Sequence, residues 1–323
     1  MIVPQGLRRY VLGRSVQQGP SSDKAHDEKD EWMKALGSDP NAPHVSVVIP
    51  CRDDTHLPGT LASLAAQNHA SFEVIVVDDS GHDPAHGVDH FRDRLELRVV
   101  SARHGAAAGE NRNAGVAVGR SDLVLFVDAD DTVNDVYVRS MVDALQAHPF
   151  VCSRVDVLSL NPWNPRGTHP QETGLITGEM DFLPFAGAGT LGIRRSLFME
   201  VGGFDPSLRV YEEADFCWRL QLAGHEAPSL VPAAELHYRL GDRPSRRLRS
   251  AAARGMGEAV LFRRYRRAGM PRQTLGQAAA AWWSLSRSLF RELSGHRAGG
   301  LGWAAATRAG RLAGSLRYRV PYF

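Results

Sequence analysis

Cysteine and long apolar runs are scarce in this chain of 323 residues. Its three scattered cysteines, Cys51, Cys152 and Cys217, predict a reducing compartment and no disulfide framework. The chain has no run of 18 apolar residues, so no transmembrane helix is predicted. The first residues also lack the apolar centre of a secretory signal, and the sequence therefore favours a cytoplasmic protein.

Acidic residues are almost absent from the last quarter of the chain. The C-terminal region, residues 243–323, contains 17 arginines but only two acids, Glu258 and Glu292. Its charge is about +15, which leaves about −13 for the rest of a chain whose net charge is +2. This region favours anionic partners such as lipid or phosphate. Nucleic acid is not predicted, because no known binding motif accompanies the charge.

Short apolar runs alternate with helical patterns between residues 44 and 150. VSVVIP, FEVIVVDDS, LELRVVS and LVLFV are the continuous runs typical of strands buried on both faces. Segments with helical spacing, such as LPGTLASLAAQ and NDVYVRSMVDALQAH, lie between or after them. The alternation predicts an α/β fold with a mainly parallel sheet flanked by helices. Ligands of such sheets bind beyond the carboxyl ends of the strands.

Acids follow three of the predicted strands directly, in VVIPCRDD, VIVVDDS and LFVDADD. The last of these places Asp128, Asp130 and Asp131 within four residues. Acids are common in loops that follow strands, so one such cluster has little meaning alone. Three clusters that converge on one edge repel one another, which predicts a bound cation or bound hydrogen-bond donors there.

The pattern is less regular after residue 150. SRVDVLSL predicts a strand, FAGAGTLGI a glycine-rich strand or turn, and two helices flank the turn GGFD. In the C-terminal region we predict helices around 246–268 and 274–293. Residues 1–43 are polar and show little periodicity, which predicts a flexible N-terminal segment with at most one short helix.

Five segments in this order resemble glycosyltransferase family 2 over about residues 44–240. They are VSVVIPCRDD, LASLAAQNHASFEVIVVDDSG, ENRNAGVAVGRSDLVLFVDADD, GAGTLGIRRSLFMEVGGFDPSL and YEEADFCWRLQLAG. The resemblance implies the GT-A fold, a Rossmann-like mixed, mainly parallel sheet flanked by helices. It also implies an inverting transfer of a sugar from a UDP- or dTDP-sugar to a saccharide, lipid-linked or small-molecule acceptor. Bacterial synthesis of envelope polysaccharide is one such setting.

The resemblance also divides the chain. A catalytic domain is expected over residues 44–242, with a nucleotide-binding half at 44–131 and an acceptor-binding half at 132–242. The flexible segment, 1–43, precedes it, and the basic helical C-terminal region, 243–323, follows it.

By resemblance, the carboxylates of the D-x-D motif bind the donor together with Mn²⁺ or Mg²⁺. The implied metal ligands are Asp128, Asp130 and His237. The residues expected to bind the nucleotide-sugar are Pro50, Asp53, Asp79, Arg112, Asn113, Asp128, Ala129 and Asp130. Two alternatives stay open here, since Arg112 could simply pair with an acid and His237 could be structural. Asp131 is expected either to orient the ribose or sugar or to cap the following helix.

Glu213 is expected to be the general base that deprotonates the acceptor hydroxyl. The family usually has Glu-Asp at this point, whereas this chain has Glu212-Glu213, so Glu212 and Asp215 remain alternatives for the base. The alternative is that these three acids, Glu213 included, only favour a helix N-terminus. The residues placed on the acceptor side are Gly189, Thr190, Glu212 and Trp218. For Trp218 the alternative is packing in the core.

The sequence also suggests a role for the C-terminal region and leaves open alternatives to a glycosyltransferase. Basic helices with aromatic residues, as in AAAAWWSLSRSLFREL, suit peripheral contact with the inner face of an anionic membrane. The same apolar residues could instead cover the catalytic core or form a homodimer interface. A non-catalytic nucleotide-sugar binding protein is the rival to the enzyme. A sugar-phosphate nucleotidyltransferase is disfavoured, because PCRDDTHLPGT is not a glycine-rich triphosphate loop.

Overall fold

The computed structural model describes residues 44–52, 55–69, 71–81, 88–164, 168–178, 180–241, 244–273, 275–293 and 301–322. The predicted flexible segment and Asp53 lie outside the described residues. The chain divides into two compact units. Unit 1 comprises the chain up to Ile176 together with Phe185–Ser207 and Glu212–Arg239. Unit 2 comprises Thr177–Pro184, Leu208–Tyr211 and Leu240–Phe323.

Unit 1 is built on an eight-stranded sheet with the order β3-β2-β1-β4-β7-β6-β8-β5. The strands are β1 (Val45–Cys51), β2 (Phe72–Asp78), β3 (Glu96–Ser101), β4 (Leu123–Phe126), β5 (Thr132–Val133), β6 (Phe150–Asp156), β7 (Leu191–Arg194) and β8 (Ser229–His237). Strands β1 to β4 are parallel, β7 runs antiparallel to both its neighbours, and β8 is parallel to β6 and antiparallel to β5. The predicted mixed α/β sheet is confirmed.

The register of the parallel strands brings their carboxyl ends to one edge of the sheet. Cys51 at the end of β1 pairs with Asp78 at the end of β2, and Val48 of β1 pairs with Phe126 at the end of β4. The segments that follow β1, β2 and β4 therefore leave the sheet at this edge, as expected for parallel strands. This register is the reason that acids far apart in the sequence lie in one region.

Five helices flank the sheet among the described residues of unit 1. They are α1 (Leu57–Ala65), α2 (Ala108–Val118), α3 (Tyr137–Ala147), α4 (Arg195–Glu200) and α5 (Glu212–Leu222). Helix α2 lies very close to the sheet, because a Cβ on Gly115 would be 2.3 Å from Val48 Cγ1. Only glycine fits at this position, and it sets the depth at which α2 presents its other residues.

The core explains the continuous apolar runs. Val47, Val48 and Ile49 are adjacent in β1 and none is exposed to solvent. Since side chains of a strand alternate between faces, both faces of β1 are buried. The three cysteines are buried, and no disulfide joins any of them.

The part of unit 2 that the structure describes contains three long helices, α6 (Pro244–Tyr265), α7 (Leu275–Leu293) and α8 (Leu301–Tyr318). Helices α6 and α7 confirm the two helices predicted here, and α8 was not predicted. Helices α6 and α8 cross at glycines, since a Cβ on Gly255 would lie 2.0 Å from Thr307 O. An ion pair of 2.6 Å between Glu258 and Arg311 also joins them. Of the helices that the structure describes, none has the length and apolar character to cross a bilayer.

Candidate active site

The loop that contains the D-x-D motif is fixed through its backbone. Thr60, fully buried on α1, places its hydroxyl 2.8 Å from Ala129 O and 2.6 Å from Asp131 O, where it acts as a shared donor. The side chains of Asp128 and Asp130 stay partly exposed at the carboxyl end of β4. The backbone of the loop is thus fixed from the inside, while the two carboxylates remain partly accessible.

Asp131 takes a structural role that the sequence did not predict. Its Oδ1 accepts the backbone N–H of Arg239 at 2.7 Å, and Arg239 Nε–H donates to Asp130 O at 2.9 Å. Burial raises the pKa of Asp131 well above its ordinary value, and the charges of Asp130 and Asp128 raise it further. Helix α3 begins only at Tyr137, so Asp131 does not cap it. The pair joins the loop to the chain just after β8.

Arg112 lies between the D-x-D motif and the first turn of α5. Its Nη2 donates to Asp128 Oδ1 at 2.5 Å, and its Nη1 donates to Glu212 Oε1 at 3.0 Å. Burial acts to lower the pKa of Arg112, but the charges of Asp128 and Glu212 outweigh it and raise the pKa. In the structure Arg112 pairs with two acids, Asp128 and Glu212, as the alternative for this residue expected.

The neighbouring residue, Asn113, is also bound within the protein. Its Nδ2 donates to Phe204 O at 2.7 Å, and its Oδ1 accepts the N–H of Phe204 at 2.9 Å. Gly203, with a φ of +69°, makes room for this contact, because a Cβ there would lie 2.6 Å from Asn113 Oδ1. The predicted Arg-Asn pair therefore joins α2 to the GGFD turn and to α5.

The three acids of α5 differ in their surroundings. Asp215 is fully buried and accepts a hydrogen bond from Arg219 Nε at 2.8 Å. Glu212 is buried against Arg112. Glu213 is more exposed than either of them. Of the three candidates for the base, Glu213 is therefore the one whose carboxylate solvent or an acceptor reaches most easily.

Asp79, one of the residues expected to bind the nucleotide-sugar, forms a two-point ion pair. Arg52 Nε and Nη2 donate to its two carboxylate oxygens at 2.7 and 2.6 Å. The Arg52 side chain is 49% exposed and that of Asp79 only 1%, so the surface here presents a guanidinium group. Pro50 lies in β1 opposite Val77, close to this pair along the strand. The sequence analysis did not single out Arg52.

His237, at the end of β8, contacts Thr132 of β5 and Glu235 of its own strand. Its Nδ1 lies 3.1 Å from Thr132 Oγ1 and its Nε2 lies 3.2 Å from Glu235 Oε1. Among the described residues, one trio places its ligand atoms within 4.8 Å of one another, and it consists of Asp156, Glu235 and His237. The structure thus groups His237 with these two acids and not with Asp128 and Asp130.

The predicted acceptor-side residues Gly189 and Thr190 have contacts inside the protein. A Cβ on Gly189 would lie 2.8 Å from Asp128 Oδ2, so this glycine approaches the D-x-D carboxylate closely. Thr190 Oγ1 donates to Gly187 O and accepts from Gln171 Nε2, both at 2.7 Å. The hydroxyl of Thr190 therefore fixes the turn before β7, and it is 3% exposed.

Trp218, also placed on the acceptor side, is a core residue. It is 1% exposed and packs edge-to-face on Phe185, with ring centroids 6.2 Å apart. An indole buried in this way offers no open face to a sugar ring, so the packing alternative describes Trp218 in this structure.

Two residues that build the site, Thr60 and Gln171, were missed by the sequence analysis. They bind backbone carbonyls that lie 69 and 18 positions away in the sequence. Their only sequence signal is a polar residue inside an otherwise apolar or loop pattern, which many surface residues share.

Comparison with known proteins identifies the same region. Residues 46–202 match the family described as Glycosyl transferase family 2. The chain is 25% identical over 194 residues to an uncharacterized glycosyltransferase of Haemophilus influenzae, covering 58% of this chain and 64% of that protein. It is 28% identical over 197 residues to a pre-mycofactocin glycosyltransferase of Mycobacterium tuberculosis, covering 58% of this chain and 41% of that protein. The chain thus spans less than two thirds of the length of both relatives.

Two solved structures share the fold. A mannosyltransferase of Pyrobaculum calidifontis has a TM-score of 0.56 at 15% identity, over 95% of this chain and 99% of that one. The S. aureus protein TarS, as residues 1–349 with UDP, has a TM-score of 0.52 at 19% identity, over 85% and 91% of the two chains. At these identities the similarity concerns the GT-A fold alone.

Proposed function

The chain belongs to glycosyltransferase family 2, and we propose on that premise that it transfers a sugar from a nucleotide-diphosphate donor to an acceptor hydroxyl. The observation that carries the proposal is the position of Asp128 relative to α5, which Arg112 links through Glu212. A site for donor charge and a partly exposed carboxylate, that of Glu213, are thereby brought to one region. We propose a UDP- or dTDP-sugar as donor. TarS has been solved in complex with UDP-GlcNAc, and the mannosyltransferase in complex with GDP-Man and Mn²⁺.

Glu213 is the proposed general base. It would accept the proton of the acceptor hydroxyl while the oxygen attacks the anomeric carbon, and the nucleoside diphosphate would leave from the opposite face with inversion. Its exposure, compared with the buried Glu212 and Asp215, supports this choice. Asp215 is occupied by Arg219, so its role is to hold the helix that carries the base.

The carboxylates of the D-x-D motif fit a hard divalent ion. Asp128 and Asp130 offer oxygen ligands, and the side chain of Asp128 is 33% exposed although one of its oxygens binds Arg112. We propose that these two residues hold Mn²⁺ or Mg²⁺, and that His237, which lies with Asp156 and Glu235, is not a ligand of the same ion. Such an ion stabilises the charge of the departing diphosphate.

The test compares turnover and binding. Purified protein is assayed with a panel of UDP-, dTDP- and GDP-sugars and Mn²⁺, and release of the nucleoside diphosphate is measured. Wild type is expected to act on at least one donor, and Asp130→Ala is expected to lose both that activity and the increase of nucleotide affinity with Mn²⁺. An active Asp130→Ala protein would overturn the metal assignment. Absence of turnover by wild type with every donor and with simple saccharide acceptors would favour the non-catalytic binding protein.

For unit 2 we propose peripheral contact with an anionic bilayer. Trp282 and Trp283 on α7 are 40% and 68% exposed, an unusual exposure for large aromatic side chains in a water-facing helix. Exposed arginines in unit 2 are Arg247, Arg249, Arg263, Arg264, Arg266, Arg267, Arg272, Arg287, Arg317 and Arg319. Tryptophan and arginine together suit the headgroup region of anionic lipid.

Flotation with vesicles tests this contact. Wild type is expected to float with phosphatidylglycerol vesicles at low salt and less at high salt, since exposed charge is screened. A Trp282→Ala, Trp283→Ala double variant is expected to stay at the bottom. Equal flotation with neutral vesicles would contradict a contact that depends on anionic lipid. A concentration-dependent dimer in ultracentrifugation that these two changes abolish would mean that the tryptophans contact a second copy of the chain instead.

A further inference from the structure

The guanidinium group of Arg112 joins two carboxylates that come from different halves of the predicted catalytic domain. We propose that Arg112 is a positioning residue, which sets the separation between the D-x-D loop and the first turn of α5 and does not bind the nucleotide. The inference rests on the proposed function, because the two segments it joins carry the proposed metal ligands and the proposed base, Glu213. It replaces the nucleotide contact that the family resemblance implied for Arg112.

The first argument is that both terminal nitrogens of Arg112 already donate to carboxylates. Nη2 is 2.5 Å from Asp128 Oδ1 and Nη1 is 3.0 Å from Glu212 Oε1. The side chain is 4% exposed, and its guanidinium carbon lies 5.6 Å from the centroid of the Phe204 ring. A phosphate or ribose would have to displace a carboxylate from a buried charge-assisted hydrogen bond, and such bonds are among the strong ones.

The second argument is that a further close approach of backbone restricts each of the two acidic side chains. A Cβ on Gly189 would lie 2.8 Å from Asp128 Oδ2, so the backbone of the turn before β7 limits the movement of Asp128. A Cβ on Gly109, one turn before Arg112 on α2, would lie 3.4 Å from Glu212 Cγ. Arg112 therefore closes a chain of contacts from β7 through Asp128 to α5.

The consequence concerns Glu213. It follows Glu212 directly, so the Arg112–Glu212 hydrogen bond fixes the start of the helix on which Glu213 lies. A base and a donor must be placed to well within an ångström for efficient transfer, and a displacement of about 1 Å can lower the rate by about 100-fold. Arg112 thus acts on the reaction through the two carboxylates.

Nucleotide affinity measured with and without Mn²⁺ separates the two roles of Arg112. Isothermal titration of UDP, dTDP and GDP identifies the nucleotide that wild type binds, and this nucleotide is then used with Arg112→Lys. If Arg112 only positions Asp128, metal-free affinity should stay within about 2-fold, while the increase due to Mn²⁺ should fall by about 10- to 100-fold, as for changes to residues that orient metal ligands. Equal losses with and without Mn²⁺ would show direct nucleotide contact and overturn the proposal.

Arg195→Lys is the matched control. Arg195 is also a buried arginine, 1% exposed, and it binds Ser121 O and Val116 O at the far end of α2. It contacts backbone carbonyls where Arg112 contacts carboxylates, so its replacement should lower stability and leave the Mn²⁺ effect intact. If both variants lose the increase of nucleotide affinity with Mn²⁺, Arg112 contributes only to packing, as Arg195 does, and does not specifically position Asp128.

Turnover gives an independent measurement. With the donor that wild type uses and with Mn²⁺ present, Arg112→Lys should lower kcat by about 100-fold, and donor KM should rise by no more than the loss of nucleotide affinity measured with Mn²⁺. Glu212→Gln should also lower kcat, and the double variant should lose little more than Arg112→Lys alone, because both remove one contact. If the kcat losses of the two single variants multiply in the double variant, or if Arg112→Lys raises only KM, Arg112 is not a positioning residue. If wild type turns over no donor, the proposed function itself is wrong. If wild type is active and Arg112→Lys loses nucleotide affinity equally with and without Mn²⁺, only the positioning role of Arg112 is wrong.

Discussion

Gly189 and Asp128 are in contact so close that no other residue fits at position 189. A Cβ there would lie 2.8 Å from Asp128 Oδ2, 2.9 Å from its Cγ and 3.2 Å from its backbone N. The neighbours of this Cβ include backbone, so the strain cannot be removed by rotating one side chain. The glycine that the sequence analysis assigned to the approach of an acceptor sugar is thus also required for the position of the D-x-D motif.

Gly189→Ala is expected to lower activity more than stability. The added methyl group must displace Asp128 from the position that Arg112 and the loop define, so kcat should fall by about 10- to 100-fold. Overpacking at such a site costs roughly 1–3 kcal/mol of the free energy of unfolding. Donor turnover and urea unfolding measure the two effects.

Gly187→Ala is the control for this substitution. Gly187 has a φ of −62°, which alanine adopts, and the nearest atom to its Cβ would be Gln171 Oε1 at 3.6 Å, an ordinary contact. It should therefore change kcat by less than about 3-fold, since surface-like substitutions without strain cost little. Similar losses at positions 187 and 189 would mean that the turn as a whole, and not the contact with Asp128, is sensitive.

The sequence predicted the sheet well because buried parallel strands leave a simple signal. Val47, Val48 and Ile49 need apolar side chains on both faces, and the same is true of β2 and β4. The edge where acids converge follows from the parallel order of these strands and could be predicted with them. The family resemblance added the names of the residues at that edge.

The contacts made by those residues could not be predicted in the same way. The Arg112–Glu212 bond joins residues 100 positions apart, and the bond from Thr60 to Asp131 spans 71 positions. Such pairings depend on the crossing of helices over the sheet, which a local pattern does not contain. Helix α8 was missed for a related reason, since Gly302, Gly310 and Gly314 disfavour a helix locally, while Gly310 and Gly314 allow its packing on α6.

Glu213→Gln tests the assignment of the base. The amide keeps the shape of the side chain but cannot accept the proton, so kcat should fall by about 100- to 10,000-fold with nucleotide affinity unchanged. Glu226→Gln, which alters an exposed glutamate of unit 1, is the control and should retain full activity. If Glu213→Gln keeps more than about a tenth of the activity, the base is another residue, since a lost base costs far more than that.

Asp215→Asn is expected to act through folding. Removing one partner of the buried Asp215–Arg219 ion pair leaves an uncompensated charge and costs about 3–5 kcal/mol. The midpoint of urea unfolding measures this loss. Below its unfolding temperature the variant should still bind nucleotide. A stable Asp215→Asn protein without activity would instead make Asp215 the base.

Gly310→Ala tests the packing of α8 on α6 in unit 2. Its Cβ would lie 2.0 Å from the carbonyl oxygen of Ala252, so the two helices must separate, at a cost of roughly 1–3 kcal/mol or more. Gly302→Ala on the same helix meets only Leu248 Cδ2 at 3.2 Å and should be neutral or stabilising by up to about 1 kcal/mol. Urea unfolding of the full chain gives both values, and equal stability of the two variants would contradict the close crossing.

The buried thiol of Cys152 is expected to lower the free energy of unfolding at alkaline pH. Burial raises the pKa of its thiol to about 12 from an ordinary 9.0, so the folded protein holds this proton more tightly than the unfolded chain. The contribution is fully present below pH 9 and is lost as the pH rises from 9 towards 12, by about 1 kcal/mol at pH 10. Cys152→Ala removes this titration but also a buried sulfur, so it lowers stability at every pH. The stability difference between wild type and Cys152→Ala, from urea unfolding, should therefore be smaller at pH 10 than at pH 7.5 by about 1 kcal/mol. An equal difference at both pH values would mean that the thiol titrates alike in the folded and unfolded protein, and that Cys152 is not as deeply buried as the structure shows.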